Sequence, residues 1–424
     1  MNLLLIAVVP LILLVGGVPI FVALLAAALG GIVLSTNPIQ AIHSAMYGSL
    51  DIFPLLAVPL FIYAGDIMSR GGIARRLIEL ILTVVGAIRG SLGIATVGAS
   101  AIFGVMSGSS VACVAAIGKL TVPALRKNGY GNTFSSSLVT ATGVIDVIIP
   151  PSIPMIIYGI AAQQSVPQLF LAGFVPGILI SIALAAYVVY YAKKKDIPIT
   201  PRPSWTTIRQ SSKGAIWAAL APIVIFGGIY GGLFTPTEAA GVACIYTIII
   251  SMFVYREITW ADLWRITVDS ATLSAQILII VSAAGAFAWL ITTSGLPTRL
   301  VAEVGSWGLS TWMLLLAINV ILLFVGSVLE PPAAILLLTP LLTPLAYAAG
   351  VHPIHFGIIV TVNLAIGLFM PPFGLNLFTS HALFKTPLPD LYRGVLPFLG
   401  IYLVMLMLIT YIPAITLAPL ALFR

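Results

Sequence analysis

The sequence predicts an all-α, polytopic membrane protein arranged as an inverted repeat, with two re-entrant helical hairpins and two broken helices. Composition and an internal duplication predict it. Of 424 residues, 60% are hydrophobic and only 7% are charged. A soluble domain carries about 25% charged residues, so this chain cannot build a water-facing surface over its whole area. The duplication supplies the architecture. Gly104–Pro154 and Gly326–Gly374 each run as an apolar stretch to a proline and close on Pro-Pro. Pro123 to Pro150 is 27 positions, as is Pro344 to Pro371, and the two Pro-Pro pairs are offset by 221 (371 − 150). A second landmark agrees: Gly71–Leu77 (GGIARRL) resembles Ser294–Leu300 (SGLPTRL), offset by 223 (299 − 76 at Arg299 and Arg76). Repeats of half a chain mark many transporters. The predicted halves are residues 1–210 and 211–424, each with scaffold spans, one hairpin and one broken helix (133–160 and 355–384).

The elements follow in order, at about 20 apolar residues per spanning helix. Leu3–Leu34 is a first span interrupted by Pro10 and Pro19. It lacks a basic leader, so it reads as a retained membrane segment. Asp51–Met68 is a second span, and Arg70–Arg76 marks its exit from the membrane. Thr133–Ile160 is a helix broken near its middle. Leu169–Tyr191 spans and ends at Lys193–Lys195, and the polar segment to Lys213 reads as cytoplasmic because loop lysines and arginines concentrate on that side. Lys and Arg number 12 before position 211 and 7 after it, within a formal charge of +7. In the second half, Thr235-Pro-Thr-Glu238 reads as a helix start with a reciprocal capping box. Ala239–Tyr255 spans, Ile258–Asp269 reads as an amphipathic interfacial connector, and Ala271–Ile291 spans. His355–Phe384 is the second broken helix and Val395–Leu417 the last span, giving about ten to twelve spans in all.

The two special stretches carry the chemistry. Gly108–Pro123 and Leu329–Pro344 are too short to span, and each reads as a short hairpin whose irregular backbone needs protein or water around it. Proline lacks an N–H and leaves the carbonyl four residues earlier without its helical donor. Pro150 and Pro151 free the carbonyls of Asp146 and Val147; Pro371 and Pro372 free those of Gly367 and Leu368. Unwound carbonyls of this kind coordinate Na⁺ in transporters. Hydroxyls of Ser107, Ser110 and Thr142, the Asn363 amide and the Asp146 carboxyl could complete the shells. Gly108, Gly143, Gly326 and Gly367 permit close approach. Glu330 at the second hairpin tip and Met370 beside the second break join the cation-site candidates. The half-helix N-termini beyond each break suit an anion. They make Ser109, Pro150, Pro151, Ser152, Pro371, Pro372 and Gly374 the substrate candidates.

Rival readings fare less well. No GxxxxGK[ST] loop for an ATP-driven pump is present. No serine is plausibly paired with a histidine for intramembrane proteolysis. The four histidines and two cysteines show no ligand-like spacing, so neither a transition metal nor a disulfide framework is expected. No basic patch interleaved with aromatics points to nucleic acid. The duplicated Pro-Pro breaks could simply kink packed helices, and a channel stays open as an alternative.

Seven stretches resemble the large, DctM-like membrane subunit of TRAP (tripartite ATP-independent periplasmic) transporters. They are Leu55–Met68, Ser107–Gly118, Val122–Tyr130, Ile148–Gly159, Gly232–Ala243, Ile335–Leu345 and Ile366–Phe378. The resemblance implies a non-enzymatic, elevator-type secondary transporter of the bacterial inner membrane with no cofactor and with Na⁺ as coupling ion. It implies a smaller four-helix membrane subunit and a periplasmic substrate-binding protein as partners. The substrates it implies are organic anions such as C4-dicarboxylates, other carboxylates and sialic acids. A self-sufficient ion-coupled anion carrier or channel, without a binding protein, is the alternative. Three positions depart from the family pattern: Met370 stands where Thr is frequent, Glu330 where Asp is, and Asp66 where Glu is.

Overall fold

The computed structural model describes residues 9–10, 12–14, 16–33, 38–86, 88–199 and 204–421, the side chain of Met106 excepted. These residues form helices and no strand. In order they are α1 (Ile20–Val33), α2 (Gln40–Leu50), α3 (Ala57–Arg70), α4 (Ile73–Val84), α5 (Ser91–Ser107), α6 (Ser110–Lys127), α7 (Asn132–Thr142), α8 (Ile145–Ile148), α9 (Ile153–Ala161) and α10 (Val166–Lys194). The second half continues with α11 (Trp205–Tyr230), α12 (Pro236–Ile249), α13 (Trp260–Thr293), α14 (Leu296–Ser306), α15 (Thr311–Val328), α16 (Pro331–Ala348), α17 (Pro353–Gly367), α18 (Leu375–Phe384), α19 (Leu388–Tyr411) and α20 (Ala414–Ala421).

Among the described residues eight helices are long and apolar enough to cross a membrane, or nine when the bent pair 132–148 and 153–161 counts as one span. Among the described residues this is fewer than the expected ten to twelve. The shortfall lies where breaks and hairpin tips divide apolar sequence into helices too short to cross alone, such as Ser91–Val105 and Pro353–Gly367. Residues 3–8, 11, 15 and 34 of the first predicted span lie outside the described residues.

The hairpins are longer than the sequence suggests. Gly108–Pro123 is not a hairpin by itself but most of one arm, α6; its partner arm is α5, and the turn is Gly108–Ser109. The second hairpin is α15–α16, turning at Leu329–Glu330. Pro123 and Pro344 sit inside their arms and end nothing. The physical reason is that a proline inside an otherwise apolar helix removes one hydrogen bond without exposing the backbone to lipid when neighbours cover it. Two other boundaries move. Ile258–Asp269 is not a separate connector, because α13 runs unbroken for 34 residues from a Thr259/Asp262 capping box. α11 begins at Trp205, with Ser204 as its N-cap, eleven residues before the span that the apolar run Ile216–Tyr230 predicts. The Thr235/Glu238 capping box is present as predicted. Thr235→Ala is expected to cost about 1 kcal/mol of stability, readable as a lower thermal midpoint in detergent.

Helix α10 orients both hairpins. At its C-terminal end, Gly131 beyond α6 lies near the Tyr191 hydroxyl and Gly90 at the start of α5 lies near Val188 and Ala192. At its N-terminal end, Gly357 near the start of α17 lies against Leu169 and Tyr158, and Tyr158 donates to the Pro353 carbonyl at 3.2 Å. The two hairpins thus open at opposite ends of a helix of 29 residues, about 43 Å long. The repeats also interlock crosswise: α18, beyond the second break, packs on α6, and α9, beyond the first, packs on α16. Around them α1, α2, α3, α12 and α13 pack together as a frame, with α4 and α11 beside it. The Arg70–Arg76 run is tied to this frame by Arg76–Glu257 (2.5 Å), Arg75–Glu257 (2.6 Å) and Arg70–Asp269 (2.8 Å). Asp66, at the same end of α3, accepts the Ser270 hydroxyl at 2.6 Å.

Candidate functional site at the hairpin tips and helix breaks

Both Pro-Pro bonds, Pro150–Pro151 and Pro371–Pro372, are cis. Each break lies against the first arm of its own hairpin. A Cβ on Gly104 of α5 would meet the Asp146 backbone, and a Cβ on Gly367 would meet the backbone of Gly326 on α15. Asp146 and Gly367 differ by the same offset of 221 (367 − 146) as the breaks. At each junction backbone packs on backbone, which only glycine allows.

At the first junction Asp146 is fully buried. Its Oδ2 accepts the Ser107 hydroxyl at 3.1 Å, and its Oδ1 accepts the Gly108 N–H at 2.9 Å. Gly108 adopts the left-handed conformation (φ +61°), which turns the tip so that its N–H faces the carboxyl. Neutral donors orient a carboxylate without cancelling its charge. Among the described residues no Lys, Arg or His forms an ion pair with Asp146. Gly143 lies under the Ser110 carbonyl. Thr142 points elsewhere, accepting from the Ser100 hydroxyl at 3.0 Å.

At the second junction Asn363 is fully buried. Its Nδ2 donates to the Ile359 carbonyl (2.7 Å) and to Asn319 Oδ1 (2.8 Å). Asn319 in turn donates to Thr410 Oγ1 at 3.1 Å. With its nitrogen committed to two acceptors, Asn363 Oδ1 is left buried with no partner. Asn363 and Thr142 occupy matching places at the 221 offset (363 − 142). Glu330 caps the start of α16 without a side-chain hydrogen bond and is exposed.

The freed-carbonyl prediction needs correction. The Val147 carbonyl accepts the Ser152 hydroxyl at 2.5 Å, the Gly367 carbonyl accepts the Met370 N–H at 3.1 Å, and the Leu368 carbonyl accepts the Asn376 N–H at 2.8 Å. Ser152 and Asn376 lie beyond their breaks and Met370 just before one, so the chain around each break supplies the donors. Each carbonyl keeps one lone pair, but none of these three stands open. The substrate candidates are also unequally placed. Pro150, Pro151 and Ser152 are buried, whereas Pro372 is exposed and Pro371 partly so. Ser109 and Ser152 serve as N-caps of α6 and α9. The Met370 carbonyl accepts the Gly374 N–H at 2.9 Å.

Asn376, two residues into α18, is missed by the sequence reading. It is fully buried. It donates to Ser110 Oγ at 2.6 Å and to the Thr140 carbonyl at 3.3 Å, so it fastens the second break to the first hairpin. Its Oδ1 is also buried and unpaired. Beside it Thr140 donates to Ser380 at 2.7 Å. The available signal was an amide inside the apolar run GLNLF (Gly374–Phe378) directly beyond Pro-Pro. Asn319, alone in the apolar run of α15, gave the same signal. No group of three or more His, Cys, Asp or Glu that could hold a metal occurs among the described residues.

A chain of apolar spanning helices, with two oppositely opening hairpins closing on two proline-broken helices around buried polar side chains, has the build of a membrane transport protein. The model of the family "Tripartite ATP-independent periplasmic transporter, DctM component" matches residues 7–415, and the chain belongs to that family. It is 40% identical over 394 residues to the C4-dicarboxylate TRAP transporter large permease protein DctM of Pseudomonas aeruginosa, covering 93% of this chain and 92% of that one. It is 36% identical to the sialic acid TRAP transporter large permease protein SiaM of Vibrio cholerae, covering 96% and 95%. It is 42% identical to the isethionate TRAP transporter permease protein DctMQ of Oleidesulfovibrio alaskensis, covering 95% of this chain but 64% of that longer protein. In fold it is similar to the YdaH transporter of Alcanivorax borkumensis (TM-score 0.66, 13% identity, 89% of each chain).

Proposed function

We propose that this chain is the large permease of a sodium-coupled TRAP system that takes up an organic anion across the bacterial inner membrane by an elevator movement. The observation that carries the coupling is Asp146. A buried carboxyl with only neutral donors and no basic partner is a site for a cation. Na⁺ at the first junction draws on Asp146, Ser107 and Ser110. Na⁺ at the second draws on the open oxygen of Asn363 beside Gly326 and Gly367. The anion binds between the junctions, near Asn376 and the N-termini of α6 and α18, where helix dipoles favour negative charge. Without Na⁺ the tips lose their reason to close, and this links ion and substrate binding. The unit of hairpins and broken helices then slides against the frame.

The relatives named above are permeases for C4-dicarboxylates, sialic acid and isethionate, and a carboxylate or sulfonate substrate suits the same dipoles. A small membrane subunit and a periplasmic binding protein complete the system. The test is uptake into proteoliposomes holding this chain and the small subunit, with binding protein and an inward Na⁺ gradient each included or omitted. Uptake requiring both supports the reading. Uptake without the binding protein, or driven by protons alone, overturns it. In the same assay Asn363→Ala and Ser110→Ala are each expected to raise the half-saturating Na⁺ concentration about tenfold. Unchanged Na⁺ curves in both would remove the site assignment.

A further inference from the structure

Hairpin 2 carries a feature that the junctions do not use. Along α16 the Thr339 hydroxyl is buried with no hydrogen-bond partner, and the buried hydroxyls of Thr343 and Tyr347 meet only the hydroxyl of Tyr158. Spacing of four puts them on one helix face. Thr339 is 3% and Thr343 7% exposed, so bulk water does not satisfy them. Pro340 and Pro344 follow the two threonines, and a proline N leaves the carbonyl four residues back without its helical donor. The carbonyls of Leu336 and Pro340 therefore run beside the hydroxyls. From Leu336 to Tyr347 is about 16 Å of helix.

This arm packs on α9, where the Tyr158 hydroxyl lies beside those of Thr343 and Tyr347. At the C-terminal end of α9 a cavity of about 310 Å³ is lined by Gly159, Ile160, Gln163 and Gln164, among others. The arm also packs on α17, which carries Asn363. The matching row of the first repeat, 221 positions earlier, is Gly118, Val122 and Arg126. There the Phe384 ring fills the space against Gly118, and Val122 packs with Val114, Val139 and Phe384. Arg126 is tied down by Ser136, the Phe384 carbonyl and Thr386. The first row is sealed by an aromatic ring; the second is a line of neutral oxygens met only by the Tyr158 hydroxyl.

We infer that the Thr339–Thr343–Tyr347 row is the track by which a partly hydrated monovalent cation moves between the open end of hairpin 2 and the buried oxygen of Asn363. Neutral hydroxyls and carbonyls replace lost hydration without trapping the ion, the arrangement that ion pathways require. Hairpin 2 opens at the end of α10 opposite Lys193–Lys195, so the track serves the non-cytoplasmic side. The inference rests on the cation-coupled reading above.

The experiment uses the full chain with its small subunit, purified in detergent, with ²²Na⁺ as probe. Association, dissociation and equilibrium binding are measured for wild type, T343V, T339V/T343V/Y347F and T343S. The valine and phenylalanine variants keep shape and remove oxygen. Both rate constants are expected to fall about tenfold in the triple variant with Kd unchanged, because a path alters arrival and departure alike. T343V alone is expected to show a smaller slowing, and T343S wild-type rates. Unchanged rates mean a packed or merely hydrated row and overturn the track. A weaker Kd with unchanged association means the hydroxyls are ligands, and also overturns it. If wild type binds no Na⁺, the coupling reading falls first and the track with it. Should the triple variant not fold, T343V against T343S decides.

Discussion

Asp146→Asn is expected to abolish sodium-driven uptake, by at least 100-fold, in a protein that still purifies as a single folded species. Asparagine keeps the size of the side chain and an oxygen for the Ser107 hydroxyl or the Gly108 N–H. It removes the charge. A buried carboxylate with no basic partner is stable only when something compensates it, since an uncompensated interior charge costs several kcal/mol. Under the proposed coupling that compensation comes from Na⁺, so the neutral variant has no further use for it. The measurement is initial uptake against Na⁺ concentration in proteoliposomes, with size-exclusion profile and thermal midpoint as fold controls. A variant with the wild-type Na⁺ curve would show that Asp146 serves only to hold the hairpin tip. A variant that is as stable as wild type or more so, yet silent in uptake, would fit the cation role best. Removing an unpaired charge should not weaken the fold.

Gly367→Ala is the second large effect, and it acts through structure. The added methyl would enter the backbone of Gly326, not a side chain that could swing aside. Hairpin 2 must then lift from the second broken helix. Overpacking commonly costs about 1–3 kcal/mol, occasionally more, and here no rotamer relieves it. Loss of uptake is expected together with a fall of several degrees in thermal midpoint. Gly400→Ala in α19 has open space at its Cβ and should leave both readouts unchanged, since alanine also suits a helix better. Equal behaviour of the two variants would mean that the α15–α17 contact is not maintained in the membrane. The pairing of Gly104 with Asp146 makes the same demand on the first repeat.

Much of this architecture was legible in the chain. Charge scarcity required a membrane, because the backbone of an apolar chain must satisfy itself as helices there. The Pro-Pro pairs located both breaks, because proline removes a donor wherever it stands. The Thr235/Glu238 box set a helix start, because its geometry is local. Asp146 and Asn363 stood out as polar groups in apolar surroundings. The errors share one cause. The hairpins are longer than the sequence suggests because Pro123 and Pro344 look like terminators, whereas neighbouring helices cover the gaps they leave. The amphipathic pattern of Ile258–Asp269, with Trp260 and Trp264, looks like an interfacial connector, whereas a helix with no breaker simply continues.

What the sequence by itself determined is the set of local facts: membrane environment, duplication, break positions and the residue types able to meet a cation. Only the tertiary structure decided which of them meet. Asn376 joins Ser110 across 266 positions, and no periodicity encodes such a contact. The Leu368 carbonyl, free by local logic, is satisfied by an N–H beyond the turn. Thr142 and Asn363 are equivalent in the repeat, yet one is paired with Ser100 and the other keeps an open oxygen. Local propensity acts along a few residues of chain, whereas the availability of a polar atom depends on every helix packed around it.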